Sequence, residues 1–500
     1  MAETISQRFA DAKAWHRFVL LGGLGVVAAL GQAPLDIWPA TLLAFAILFW
    51  LYDPQATPKR AMWQVWAFGV GYFAFSLRWI VEPFFVDLAR HGWMAPFAII
   101  LMAAGAALFW GLAAWLSQRF LRRTASSLGL MIVGAEITRS LILSGFPWAL
   151  IGHVWITTPM AQLAAFGGPH LLSLLTIVAA LALTALAGPR RMTGAVVLVA
   201  FAVAAFLLQP GAPVPPEPDA PMVRLVQPNA PQHQKWDPAH RDAFVRRMIA
   251  ATGEGPRPDL VVWPETAIPY LLNHIEDDMR VIVDAARGAP LVFGIQRFDV
   301  DRSFYNSLVV MGPSGTVDAI YDKRHLVPFG EYMPGAALLG RAGMAGLARN
   351  LGTGFTPGAT PGPVTIPGIG NAIPLICYEG IFAEEIIDGG DRARLLLLIT
   401  NDAWFGQAAG PYQHLAQARL RAIEQGLPMV RVANTGISAM IDAKGRIIAH
   451  LPLGVNGALD VALPPALPPT FYVRMGDWPV VIVLILLTIG HVIGRMRETN

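Results

Sequence analysis

The chain has 500 residues, 54% of them apolar and only 14% charged, with a formal net charge of +3 and a single cysteine. Soluble domains carry nearer a quarter charged residues, so this composition points to a bilayer as solvent. The positive excess lies in short clusters between apolar segments, which argues against a nucleic-acid-binding face, and one Cys excludes an intramolecular disulfide or a multi-cysteine metal site.

Apolar stretches run at 18–34, 38–52, 61–80, 94–116, 125–143, 160–187 and 192–208, with another at 478–493. Each approaches the roughly 20 residues that cross hydrocarbon. They predict a transmembrane bundle of about seven spans over 1–208 and a final transmembrane helix at 478–493. Basic residues sort into alternate connections. One side holds Arg8, Lys13, Arg17, Lys59, Arg60, Arg119, Arg122, Arg123, Arg190, Arg191, Arg495 and Arg497, and the other only Arg78, Arg90 and Arg139. The positive-inside rule puts both termini in the cytoplasm and the region after span seven outside it. In a bacterium that is a multi-pass inner (cytoplasmic) membrane protein with a periplasmic domain. The first run also has small residues around Gly31 to Ala33, as a cleaved signal peptide would. Its removal would leave the basic loops without an explanation.

Glu136 and Arg139 share one face of the fifth span, and intramembrane charges are functional candidates, although a pair that only fixes helices is an equal reading. The following GFPWALIGHVW (145–155), with Trp148, suits the headgroup interface and the guiding of lipid tails. Arg78 and Trp79 lie where an outer-leaflet headgroup would be met.

The Pro-rich 209–221 reads as an extended linker. Beyond it, 222–465 alternates strand patterns (222–227, 260–263, 291–296, 306–311, 373–377, 395–400, 429–434, 437–442) with helical ones (239–252, 276–287, 380–388, 411–425). Continuous apolar strands among helices predict an inserted α/β layered domain with buried sheets.

Three polar residues fall at strand ends or adjoining loops: Glu265 in VVWPET, Lys323 in YDKRHLVPFGEY and Cys377 in PLICYEG. A nucleophile between an apolar strand and a helix sits at a tight turn beside backbone N–H groups, a setting that favours the thiolate. Acyl transfer through such a thiol needs a base and a cation or N–H donors at the oxyanion, which Glu265 and Lys323 supply by type. Taken singly, Cys377 reads equally as a small core residue and the two charges as solvated surface groups; only the constellation favours chemistry. His325 and His414 lack partners at metal-ligand spacing. Asn401, Asp402, Trp404 and Phe405 suit either a site lining or a side-chain-stabilised turn. Arg421 and Glu424, three apart on a helix, read as an internal ion pair. Segment 333–358, rich in Gly, Ala and Leu, suits a lid or a surface excursion.

The Glu, Lys and Cys contexts together resemble the nitrilase superfamily of carbon–nitrogen hydrolases. Over nearly its full length the chain resembles the apolipoprotein N-acyltransferase family, through APLDIWP (33–39), GFPW (145–148), QPN (227–229), WPET (263–266), KRHLVPFGEY (323–332), ICYEG (376–380), TNDAWFG (400–406) and RLRAIEQG (419–426). The resemblance implies an α-β-β-α sandwich with Glu265 as general base, Lys323 as the oxyanion-side ammonium and Cys377 as the acyl-accepting thiol. It further implies supporting roles for Glu331, Tyr378 and Glu379, and for Trp236 on a loop near the site. The implied reaction is ping-pong and needs no metal or other cofactor. An acyl chain passes from a glycerophospholipid to the Cys thioester, then to the α-amino group of a diacylated apolipoprotein's N-terminal cysteine. Two other readings remain: a membrane-tethered amidase or nitrilase, for which seven preceding spans are superfluous, and a transporter with a ligand-binding domain, for which the spans show no inverted repeat.

Overall fold

The computed structural model describes residues 9, 11–274, 276–335, 354–360, 362–386 and 392–499. Arg8 and most of the proposed lid 333–358 lie outside them. The chain divides into two compact units, one of residues 1–211, 405–425 and 469–500, the other of 212–404 and 426–468.

In the first unit a helix occupies every apolar stretch: Ala14–Ala29, Trp38–Trp50, Pro58–Ser76, Ala95–Phe120, Ala125–Leu141, Ala164–Leu186, Arg191–Leu207 and Trp478–Thr499. Local chemistry sets their starts. Thr57 accepts a bond from Arg60 N with Pro58 at the first helical position, and Thr124 caps the next-but-one helix through Ser127 N. Among the described residues, three segments are long and apolar enough to cross a membrane: Leu88–Phe120, Pro159–Leu186 and Trp478–Glu498. Ala14–Ala29, Trp38–Trp50 and Arg191–Leu207 are apolar but shorter. A helix thus stands at each of the eight stretches, while among the described residues length and composition support three spans.

Residues 151–155 form a buried 3-10 turn, and 159–163 a second in which Met160 and Ala161 are buried. Against them packs the helix Gly410–Gln425, where Ala416, Leu420 and Ile423 share a core with Val154, Trp155, Ile156 and Leu172. That helix was expected inside the inserted region, yet its contacts group it with the first unit. Amphipathic spacing identifies a buried face but not what buries it.

The second unit contains two six-stranded sheets. The first has the order β12-β1-β2-β3-β4-β5, with β1 Met222–Gln227, β2 Leu260–Val262, β3 Leu291–Phe298, β4 Phe304–Met311, β5 Val317–Asp322 and β12 Gly457–Ala462. The second runs β11-β10-β9-β8-β7-β6, with β6 Val364–Ile366, β7 Gly370–Ile376, β8 Leu395–Thr400, β9 Met429–Ala433, β10 Ser438–Ile441 and β11 Ile447–Leu451. β1, β2 and β3 are parallel neighbours, as are β7, β8 and β9, and the outer strands pair antiparallel. This explains LLLLIT (395–400): a central parallel strand is covered on both faces, and all six of its residues are buried. Helices Arg241–Gly253 and Glu276–Ala286 cover the first sheet, with Met248 and Ile282 packed among Val261, Trp263 and Phe293. β5, β6, β11 and β12 had no sequence reading, and all four are flanking strands with interrupted apolar patterns.

Candidate active site

Glu265, Lys323 and Cys377 each follow a strand end: β2, β5 and β7 respectively. Parallel strands deliver their C-terminal ends to one edge of a layered sheet, so side chains far apart in sequence converge there. Lys323 Nζ lies 2.8 Å from Glu331 Oε1 and 3.6 Å from Glu265 Oε1. Asn306 on β4 donates through Nδ2 to both carboxylates, at 2.7 Å to Glu265 and 3.2 Å to Glu331. Glu265 Oε2 accepts from Asn401 N at 2.8 Å, and Glu331 Oε2 from Val327 N at 2.8 Å. The cluster is buried: Lys323 is 1% exposed, Glu265 and Cys377 each 5%.

Two turns carry backbone strain. Cys377 has φ +51° and Thr266, next to Glu265, φ +44°, both in the left-handed region that non-glycine residues avoid. Instead of the helix expected over 380–388, Cys377 opens a 3-10 turn ending at Ile381, and 387–391 lie outside the described residues. Glu379 fixes this turn. Its Oε2 accepts from Ile376 N at 2.7 Å, and its Oε1 from Tyr321 OH at 2.8 Å, Arg324 N at 2.7 Å and His325 N at 3.2 Å. One carboxylate thus ties the Cys377 turn to the segment carrying Lys323. Gly294 on β3 makes room for the Glu265–Thr266 turn: a Cβ there would stand 2.5 Å from both Glu265 Cα and Thr266 N.

Burial pushes the Cys377 thiol up, and Glu265 adds to it; Lys323 and a hydrogen bond with Thr400 oppose without offsetting the rise. The expected resting thiolate is therefore replaced by a thiol, because desolvation outweighs the nearby ammonium. Burial also opposes the Lys323 charge, but Glu331, Glu265 and Cys377 together hold its pKa above the ordinary value. Lys323 is thus a fixed cation. Burial raises the Glu379 carboxyl, against the bonds it accepts and the Lys323 charge.

The other residues singled out in the sequence sort by place. Tyr378 is buried beside Phe382 and His325, with ring centroids at 5.1 and 5.5 Å. Trp236 and Trp404 are 41% and 39% exposed. Asn401 supports Glu265, whereas Asp402 is held by Thr400 Oγ1 at 2.8 Å and Arg431 Nη2 at 2.6 Å. His325 Nδ1 meets Glu385 at 2.7 Å. In the first unit, Glu136 accepts from Ile151 N at 3.1 Å and Ser173 Oγ at 2.6 Å, and stands 3.7 Å from Arg139. Arg139 Nη1 donates to Trp148 O at 2.9 Å and also to Phe146 O. The pair is spent on the 146–151 backbone. Trp148 Nε1 donates to Gln413 Oε1 at 2.7 Å. Arg421 and Glu424 form the internal pair expected, at 2.6 Å.

Sequence reasoning passed over Asn306, Gly294 and Lys235. Lys235 ends the helical turn Gln232–Lys235, is 5% exposed, and donates from Nζ to Thr266 Oγ1 at 2.6 Å and Glu265 O at 3.2 Å. Burial pushes its ammonium down to about 8, against the pull of Glu265 and Cys377. Its one sequence signal was adjacency to Trp236 in QKWDP.

Family profiles match two parts of the chain: an apolipoprotein N-acyltransferase N-terminal domain over residues 24–182 and a carbon–nitrogen hydrolase over 222–467. Relatives called apolipoprotein N-acyltransferase from Rhodopseudomonas palustris and Allorhizobium ampelinum are each 36% identical. The first covers 97% of this chain and 96% of its own length, the second 100% of both. Among solved structures, an amidase from Nesterenkonia is 20% identical with a TM-score of 0.38, covering 55% of this chain and 98% of its own. A carbon–nitrogen hydrolase from Helicobacter pylori is 17% identical with a TM-score of 0.36, covering 48% and 87%.

Proposed function

The chain belongs to the apolipoprotein N-acyltransferase family, and on that premise we propose how its buried cluster performs the N-acylation of lipoproteins. The protein is an acyltransferase of lipoprotein maturation. In the proposed ping-pong course, Glu265 takes the Cys377 proton as sulfur attacks an ester carbonyl of a glycerophospholipid. Lys323 faces the developing oxyanion, and Glu265 returns the proton to the departing lysophospholipid. The α-amino group of a diacylated apolipoprotein then attacks the thioester, the amide forms and the Cys377 thiol is restored.

The observation that carries this reading is the charge arrangement at the thiol. Lys323 lies between two carboxylates, 2.8 Å from Glu331 and 3.6 Å from Glu265, and is thereby a permanent cation. Neither glutamate is needed twice: Glu331 holds the cation, leaving Glu265 to move protons. Burial that keeps Cys377 protonated at rest also keeps water from the thioester. We further propose that the helices of the first unit lie in the inner membrane with the catalytic unit in the periplasm. That topology follows from the basic connections and brings the site to two bilayer-anchored substrates.

Purified protein incubated with phospholipid should gain one acyl mass on Cys377, labile to hydroxylamine and absent from Cys377→Ala. A diacylated lipopeptide should then remove the acyl group as an amide. Removal by water at the same rate without lipopeptide would indicate a hydrolase instead.

A further inference from the structure

Aminolysis leaves one proton without a destination in the three-residue scheme. An α-amino group has a pKa of about 7.7–8.0 and meets a neutral site largely as the ammonium. As its nitrogen forms the C–N bond and the C–S bond breaks, that nitrogen sheds two protons on becoming an amide. Glu265 carries one to the departing sulfur, restoring the thiol. The second cannot go to Lys323, which its two carboxylate neighbours keep charged. Glu331 is occupied by Lys323, Asn306 and Val327.

Lys235 has the geometry for it. Its Nζ donates to two acceptors, Thr266 Oγ1 at 2.6 Å and Glu265 O at 3.2 Å. A neutral lysine amine has two N–H donors and one lone pair. These two bonds match both donors of the neutral amine and leave its lone pair to take up a proton. The charged or titratable groups acting on it are Glu265 and Cys377, and the Trp236 ring centroid lies 5.6 Å from Nζ. Thr266, which it touches, and Gln232, on its own turn, are uncharged. We propose that Lys235, in its neutral form, receives the surplus proton of the acceptor ammonium and so acts in the second half-reaction only. The proposal rests on the ping-pong reading above. With burial holding its ammonium at about 8, Lys235 is matched to an α-amino group and exchanges a proton with it at little cost. The proton passes to solvent when the triacylated product leaves.

The test separates the half-reactions in full-length enzyme reconstituted with phospholipid: acyl-enzyme formation by intact mass, and its discharge by a synthetic diacylated lipopeptide between pH 6.5 and 9.5. Whatever Lys235→Met loses in acyl-enzyme formation through its bonds to the Glu265–Thr266 turn, it should lose about 10²-fold more in discharge at pH 7. That deficit should close by about tenfold between pH 7 and pH 9, and no further above it, as the lipopeptide loses its own proton. Lys235→Arg, which keeps charge and donors but cannot give up its proton, should show the same deficit. Wild-type discharge by Lys235→Arg, or an equal slowing of both half-reactions at every pH in Lys235→Met, would reduce Lys235 to a positioning residue. A wild-type enzyme that forms no acyl adduct would overturn the ping-pong reading itself, and this proposal with it.

Discussion

Glu265 and Lys323 act on the Cys377 thiol in opposite senses, Glu265 raising its pKa and Lys323 lowering it. Their removal should therefore separate thiol acidity from catalysis. Glu265→Gln deletes the neighbouring negative charge, so the pH midpoint of Cys377 alkylation by a small reagent should fall. Acyl-enzyme formation should nevertheless drop by about 10²–10⁴-fold for want of a base. Lys323→Met should move the alkylation midpoint up and also abolish acylation. Parallel movement of the two midpoints would mean that packing, not charge, sets the thiol. Glu331→Ala leaves the 1%-exposed Lys323 without its 2.8 Å partner, and breaking a buried pair costs about 3 kcal/mol; a lowered unfolding midpoint would register it. The proposed trio could be singled out in the sequence because residue type and strand-end setting both marked it. Lys235 and Asn306 could not, because their importance lies in what they touch: a lysine beside a tryptophan and an asparagine opening an apolar strand are unremarkable until β2 and β4 bring them to Glu265.

At the scale of elements, periodicity located what is buried and missed what is flanking. β1, β8 and the three helices at 241–253, 276–286 and 410–425 lie within a few residues of their expected limits. β5, β11 and β12 are half-exposed, so no apolar run announced them. The same blindness hid Gly294, which a pattern reading takes only as a weak point in a strand. In the fold it lets β3 lie against the Glu265–Thr266 turn. Gly294→Ala should push that turn aside and cost about 10²-fold in acyl-enzyme formation, since a misplacement near 1 Å suffices for such a loss. Gly105→Ala, where an added Cβ meets nothing within 4 Å, is the matched control and should leave the rate unchanged. Equal activity of the two variants would show that the turn tolerates displacement.

For the molecule as a whole, the contrast between long apolar stretches and a polar insertion was plain in the sequence, and a helix stands at each stretch. Less legible was the membership of the helix Gly410–Gln425, whose Gln413 meets Trp148 Nε1 and the carbonyls of Ala33 and Ser76. Topology follows from charge rather than from packing, so it needs its own test. The Lys59–Arg60 connection should be cytoplasmic and the 209–221 linker periplasmic. Gln55 and Val214 are both exposed, one near each segment, and Cys377→Ala removes the only native thiol. In that background, Val214→Cys should react with a membrane-impermeant maleimide once the outer membrane alone is opened. Gln55→Cys should react only after the inner membrane is breached. Labelling of Gln55→Cys first would invert the arrangement and put the catalytic unit in the cytoplasm. Labelling of both together would mean that the number of crossings among the five helices between these positions is even, so that at least one of them does not cross.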